Sequence, residues 1–368
     1  MRQEERLKAV QDALIPWFNR HRRDMPWRRT RDPYAIWVSE IMLQQTQVET
    51  VKPYFLRFMK RFPTVRALAK APIGPVLKLW EGLGYYSRAR NMREAAKKIF
   101  SELGGLLPKT VPELLALPGI GRYTAGAIAS IAFGQDEPVL DGNVTRVLCR
   151  VFRIRENPKN AATQEKLWLL ARRLVTRSTG CKQPVPHFAG LLNQALMDLG
   201  ATVCIPRNPS CLICPINAAC LARLHNEQNE IPLKIKRKPV PHYDIAAGIV
   251  WKGARILIDQ RKPEGLLGGL WEFPGGKRRA NESLKAALVR EVREELAIKA
   301  KVLRPLVTVK HAYSHFRITL HAFECRYVSG RPRALGCAGW KWVRPADLGR
   351  YAFPAANHKI IAALTHGE

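Results

Sequence analysis

Four cysteines fall within 17 residues, as Cys204-x6-Cys211-x2-Cys214-x5-Cys220. No other feature restricts the fold so much, because four thiolates this close can close a loop around one metal centre. Pro206, Asn208, Pro209 and Pro215 lie between them and favour a tight loop. The chain starts Met1-Arg2-Gln3-Glu4-Glu5-Arg6 and runs into an amphipathic segment, not a signal peptide, so a cytoplasmic location is expected. In that reducing compartment the quartet reads as ligands rather than disulfides. Thiolate chemistry alone admits a zinc ion or a [4Fe–4S] cluster. Cys149, Cys181, Cys325 and Cys337 read as structural.

Lys plus Arg number 61 and Asp plus Glu 30, leaving a formal charge of +31. An excess of that size points to a polyanionic partner, since neutralising phosphates releases condensed counterions. Hydrophobic residues at 46% exclude disorder along the whole chain. No apolar run is long enough to span a membrane, so no membrane partner is expected.

Residues 1–228 read as helices joined by short Gly/Pro turns. Leu7, Val10, Leu14 and Phe18 repeat at helical spacing. Asp32-Pro33 reads as an N-cap followed by a first-turn proline, opening a helix that is apolar nearly all round and therefore buried. Further helices are expected near 75–80, 87–101, 112–117, 122–133, 143–152, 162–177 and 188–200. Residues 229–243 form a basic, proline-rich linker. Residues 244–368 read as α+β, with strands at Ile245–Trp251, Arg255–Gln260, Leu306–Lys310 and Ile318–Cys325 and an acidic helix near Glu282–Leu296.

Three features of the helical region carry chemistry. Leu117-Pro118-Gly119-Ile120-Gly121-Arg122-Tyr123-Thr124-Ala125 is a two-glycine turn feeding a helix, a shape that can bring backbone N–H groups against a phosphate. Many such turns only pack helices together. Asp141 precedes a helix, where a plain N-cap is the ordinary expectation. Glu40 sits among Ile36, Trp37, Ile41 and Leu43, where an unpaired carboxyl would have a raised pKa suited to a general acid. The ordinary alternative is a narrow polar stripe shared with Gln44 and Gln47.

The hairpin, an acid about twenty residues beyond it and the cysteine spacing together resemble the endonuclease III superfamily of DNA glycosylases. Trp37-Val38-Ser39-Glu40-Ile41-Met42-Leu43-Gln44-Gln45-Thr46-Gln47-Val48, Gly82-Leu83-Gly84-Tyr85-Tyr86-Ser87-Arg88 and Leu140-Asp141-Gly142-Asn143-Val144 are similar to the A/G-specific adenine glycosylase (MutY) family, over nearly the whole chain. The resemblance implies a [4Fe–4S] cluster on Cys204, Cys211, Cys214 and Cys220. It implies Glu40 as the acid that protonates adenine N7 and then the base toward water, and Asp141 as the stabiliser of the oxocarbenium ion. Asn143 would set Asp141, and Tyr123 stands where β-lyase relatives carry a nucleophilic Lys, implying a monofunctional enzyme. DNA contacts would involve Gln45, Tyr85, Arg88, Gly119 and Gly121. Arg23, Trp27 and Arg28 would rim the adenine pocket.

In the C-terminal part, Gly276-x5-Glu282-x7-Arg290-Glu291-Val292-Arg293-Glu294-Glu295-Leu296-Ala297-Ile298 fits a Nudix box, with Ala297 in place of Gly. Glu291, Glu294 and Glu295 fall on one helix face, where their oxygens could hold Mg²⁺. Ala297 puts the helix stop in doubt, since Gly takes the left-handed cap more easily. The resemblance implies that this domain senses 8-oxoguanine through Tyr313-Ser314-His315, where the family carries Phe-Ser-His. The expected protein is thus an all-α helix-hairpin-helix glycosylase region with an iron–sulfur loop, joined to an α+β Nudix-like domain. Its partner would be duplex DNA with A:8-oxoguanine or A:G mispairs, bound by a monomer at a bacterial nucleoid. Two other functions fit less well. One is a Nudix pyrophosphohydrolase with a DNA-binding helical domain. The other is a non-catalytic mismatch binder, which Glu40 and Asp141 argue against.

Overall fold

The computed structural model describes residues 1–176, 185–233, 239–313 and 315–365. Cys181, Ser314 and linker residues 234–238 lie outside the described residues. The helices up to the linker are α1 (Gln3–His21), α2 (Pro33–Leu43), α3 (Val48–Arg61), α4 (Val65–Lys70), α5 (Ile73–Trp80), α6 (Ser87–Glu102), α7 (Val111–Leu115), α8 (Arg122–Ile131), α9 (Gly142–Val151), α10 (Ala161–Val175), α11 (Phe188–Thr202) and α12 (Leu221–Leu224). Beyond it come β1 (His242–Lys252), β2 (Arg255–Gln260), β3 (Trp271–Glu272), β4 (Gly275–Lys277), α13 (Leu284–Leu296), β5 (Lys299–Ala312), β6 (Arg317–Ser329), β7 (Gly339–Val343) and α14 (Ala355–Thr365). No helix among the described residues is long and apolar enough to cross a membrane. The chain divides into two compact units, Met1–Ala69 with Glu94–Arg237 and Lys70–Arg93 with Lys238–Glu368.

In the first unit, Leu7, Val10, Leu14 and Phe18 turn the apolar face of α1 into a core shared with Val147, Leu170, Leu192 and Leu196. Helix α2 starts where the Asp32 carboxylate accepts from the N–H groups of Tyr34 and Ala35, at 3.1 and 3.3 Å. Every residue from Tyr34 to Met42 is buried, so the apolar sequence around Glu40 carries that carboxyl inside with it. Helices α9 and α11 pack closely at Gly200, where a Cβ would come within 2.6 Å of Asn143 Cβ.

The second unit is a mixed sheet in the order β3-β2-β1-β6-β5, with β4 against β1 and β7 against β2. Strands β1 and β6 are parallel; the other pairs are antiparallel. Helix α13 covers one face through Ala287, Leu288, Val292 and Leu296. Phe353, Ala356 and Ile360, from α14 and the segment before it, cover the other against Ile249, Ile256 and Ile258. Residues 70–93 belong here because Glu81 Oε1 accepts from the Phe353 N–H at 2.7 Å and Lys78 Nζ donates to the Tyr351 carbonyl at 2.9 Å.

The doubt about the end of α13 is resolved against distortion. Ala297 adopts the left-handed conformation itself (φ 56°, ψ 30°), and its N–H bonds to the Arg293 carbonyl. A Cβ in that region costs about 1–2 kcal/mol. Ala297→Gly is therefore expected to stabilise this unit by roughly 1 kcal/mol, less Gly's larger unfolded-state entropy. Urea unfolding would show it as a raised midpoint at unchanged slope.

Candidate active site

Glu40, Tyr123 and Asp141 come from three helices and line one open cleft of about 1130 Å³. Tyr123, in the first turn of α8, donates its hydroxyl to Glu40 Oε2 at 2.7 Å. Asp141 caps α9, accepting from the Val144 N–H at 2.7 Å. Its second oxygen accepts from Asn143 Nδ2 at 3.1 Å. Asn143 Oδ1 in turn accepts from Arg146 Nη2 at 2.9 Å, so the amide is fixed from both ends. Asp141 is thus both an ordinary N-cap and a cleft residue.

The environment separates the two carboxyls. Burial pushes the Glu40 carboxyl up, and the nearby Asp141 charge adds to this; the Tyr123 hydrogen bond and Arg28 pull it down, leaving it at about 7. Burial raises Asp141 too, but the Val144 and Asn143 N–H groups and the Asn143 amide oppose it. Glu40 is the group able to hold a proton near neutrality, while Asp141, also raised on balance, has three hydrogen bonds that favour its anionic form.

Behind the acids stand Trp27 and Arg28, with Arg23 beside them. Sequence reasoning missed the residue that positions the two arginines. Asp198 of α11 is buried, and accepts from Arg23 Nε at 2.9 Å and from Arg28 Nη1 at 2.7 Å. An acid inside an apolar helix, four residues after Gln194, was its only signal.

Gln45 is exposed at the cleft rim with φ 57°, a left-handed conformation. In the hairpin, Gly119 takes φ 78° and Gly121 caps α8. Tyr85 also has a positive φ, 45°, on a turn between Gly82 and Tyr86. Arg88 departs from the expectation of a DNA contact. It is buried, and donates Nη2 to the carbonyls of Leu83 and Gly84 at 3.1 Å each, so it braces the turn that presents Tyr85. Burial lowers its pKa to about 10.

Tyr313 closes the β5–β6 turn, its N–H bonding to the Phe316 carbonyl at 2.8 Å and its ring stacking on Phe316. His315 is exposed, and its ring meets Tyr85 edge-on at 6.4 Å. Two residues singled out separately in the sequence therefore adjoin.

Glu291, Glu294 and Glu295 lie on one helix, Leu284–Leu296, as their spacing predicts. Arg290 pairs with Glu282, Glu291 and Glu294 at 2.7–3.0 Å, so the charges of these three carboxylates are already partnered. Burial and the Glu272 and Glu291 charges push the Glu295 carboxyl up to about 7. Burial, with Glu272 and Glu295, also raises Asp259. Among the described residues no three acid, His or Cys side chains form a ready metal-holding group. The four loop cysteines nevertheless all line one cavity, where Arg150 Nη1 donates to Cys204 Sγ at 3.2 Å. Burial pushes the Cys214 thiol up to about 12, with the sulfurs of Cys204, Cys220 and Cys211 contributing. Four mutually repelling sulfurs in a basic frame are a donor set that fits a cationic metal centre.

Residues 38–173 match the HhH-GPD superfamily of base excision DNA repair proteins, and residues 246–363 match the NUDIX domain. The fold and site thus define a helix-hairpin-helix base-excision protein with a Nudix-like domain. A human adenine DNA glycosylase is 38% identical, over 96% of this chain and 73% of that protein. One from Buchnera aphidicola subsp. Baizongia pistaciae is 36% identical over 84% of each. The chain belongs to the adenine DNA glycosylase (MutY) family. Among solved structures, a thermostable thymine-DNA glycosylase is 30% identical with TM-score 0.52, covering 60% of this chain and 98% of that one. Endonuclease III in a non-covalent DNA complex, at 20% identity and TM-score 0.50, shares the fold over 61% of this chain and 99% of its own.

Proposed function

We propose that this protein excises adenine opposite 8-oxoguanine or guanine in duplex DNA by hydrolysing the N-glycosidic bond. The observation that carries this reading is the pair of unlike carboxyls, Glu40 and Asp141, in one cleft with Tyr123 bonded to the first. Glu40 gives its proton to adenine N7, so the C1′–N9 bond breaks with a neutral base leaving. The Asp141 carboxylate stabilises the positive charge that develops on the sugar, and Asn143 keeps it aimed. Glu40, now ionised, accepts a proton from the water that adds to C1′. Tyr123 is no amine and forms no Schiff base, so the strand stays intact. The test is a duplex with one A opposite 8-oxoguanine, then alkali; cleavage at the A supports the reading. Nucleoside triphosphate turnover without base excision would support the pyrophosphohydrolase instead.

Cys204, Cys211, Cys214 and Cys220 would hold a [4Fe–4S] cluster, which supplies covalent closure of the loop. Arg207 and Arg223 lie in or beside that loop and would add positive charge for phosphates. Cys211→Ser is expected to lower soluble yield and DNA affinity while the excision rate constant of bound complex changes little. Iron analysis and visible absorbance check the premise, and stoichiometric zinc without iron would refute it.

Gln45 and Tyr85 would fill the duplex around the mispair, and Tyr313, Ser314 and His315 would read 8-oxoguanine. The Tyr85–His315 ring contact supports this, since it joins the wedge to the sensor. Ser314→Ala with His315→Ala is expected to cut discrimination for 8-oxoguanine over guanine by roughly 1–3 kcal/mol per lost contact. Undiminished discrimination would place sensing elsewhere. The basic charge suits chromosomal DNA as the substrate, on which the protein would act as a monomer in a bacterial cytoplasm.

A further inference from the structure

A second cavity, of about 150 Å³, lies beside the catalytic cleft. Trp27, Arg28, Ile131 and Gln194 line both spaces and so form the partition between them. The two mouths carry different residues. The exposed rim of the cleft holds Gln45, Gln47, Gly121 and Arg122. The exposed rim of the small cavity holds Arg22, Thr30 and Arg31.

We infer that the small cavity is a rear exit that receives the free adenine after excision and passes it to solvent while the abasic DNA still occupies the front. This rests on the glycosylase reading above. A glycosylase makes two products, and the larger one covers the cleft through which the base arrived. The base can leave first only through another opening. The rear cavity suits a flat, neutral heterocycle: Phe18, Ile131 and Leu191 give it apolar walls, and Thr30, His187 and Gln194 supply polar groups. The partition is unequal. Arg28 is held by Asp198, and Trp27 is 5% exposed and packs edge-on against Phe55. Among the described residues, the Gln194 side chain is tied only by Nε2 to the Gly190 carbonyl one turn back, at 3.1 Å. Rotation of that one side chain about its χ angles opens the way, on a timescale far shorter than turnover.

The test uses full-length protein and duplex carrying tritiated adenine opposite 8-oxoguanine, with enzyme in excess. Alkali measures bond cleavage; rapid gel filtration of the enzyme–DNA complex measures whether the base stays with it. Wild type is expected to shed adenine while still bound to the abasic duplex. Thr30→Trp narrows the exposed mouth, and Leu191→Trp fills the cavity. Each is expected to cleave at the wild-type rate yet retain labelled adenine in the complex at least tenfold longer. Adenine leaving both variants as fast as wild type would overturn the exit, as would wild-type adenine leaving only when DNA dissociates. Loss of cleavage in wild type would instead refute the glycosylase reading itself. Circular dichroism melting separates a misfolded Leu191→Trp from an informative one, and Thr30→Trp, at an exposed position, stands in if it fails.

Discussion

Replacing Glu40 with Gln is expected to lower single-turnover adenine excision by at least 10²–10⁴-fold, the usual contribution of a general acid–base group. Binding to the mispaired duplex should survive, because the amide keeps the shape and can still accept from the Tyr123 hydroxyl. An amide has no proton to give to N7 at neutral pH. The wild-type pH profile provides a second readout. The active form of Glu40 is the protonated one, and its carboxyl is held at about 7 chiefly by burial. Excision should therefore fall roughly tenfold per unit above pH 7, level off on its acid side, and fall again in stronger acid as the Asp141 carboxylate takes up a proton. Tyr123→Phe removes a hydrogen bond that lowers this value, so its alkaline limb should move to higher pH. A profile that rises through pH 7 would contradict the acid assignment.

Asp141→Asn is expected to cost about 10²–10³-fold in the same assay, the scale seen when one preorganised electrostatic group is lost from a site. Asn is as good an N-cap as Asp, so α9 should remain capped and the melting temperature nearly unchanged. Asp141→Ala removes the cap as well and should lose about 1 kcal/mol of stability besides activity. The pair separates the two roles of this residue. Equal activity in Asp141→Asn and wild type would reduce Asp141 to a helix cap.

The reach of the sequence differs from residue to residue. Helix α2 was legible because Asp32-Pro33 sets its start and an unbroken apolar run sets its burial. The four strands found in the sequence are the β-branched ones, though β5 and β6 extend beyond the expected limits. Strands β3, β4 and β7 are two, three and five residues long, too short to show a period, and two of them contain glycine. Local patterning also could not show that residues 70–93 pack with the C-terminal half, since that depends on contacts such as Glu81 to Phe353. Arg88 was expected at the DNA because its motif resembles that of the family; only the fold shows its guanidinium turned inward onto two carbonyls. The same holds for the Nudix helix. Spacing aligned Glu291, Glu294 and Glu295, but Arg290, itself part of the motif, neutralises two of them. Asp198 was invisible because its partners, Arg23 and Arg28, are about 170 residues away.

The proposed reaction hydrolyses an adenine glycosidic bond without an enzyme-linked intermediate. It is tested most directly by incubating the protein with an A:8-oxoguanine duplex and analysing the mixture by mass spectrometry before any alkali is added. Hydrolysis should give free adenine in equal amount to an intact abasic strand, and no adduct trapped by borohydride. Release of no adenine, or a borohydride-stable link between protein and DNA, would contradict it.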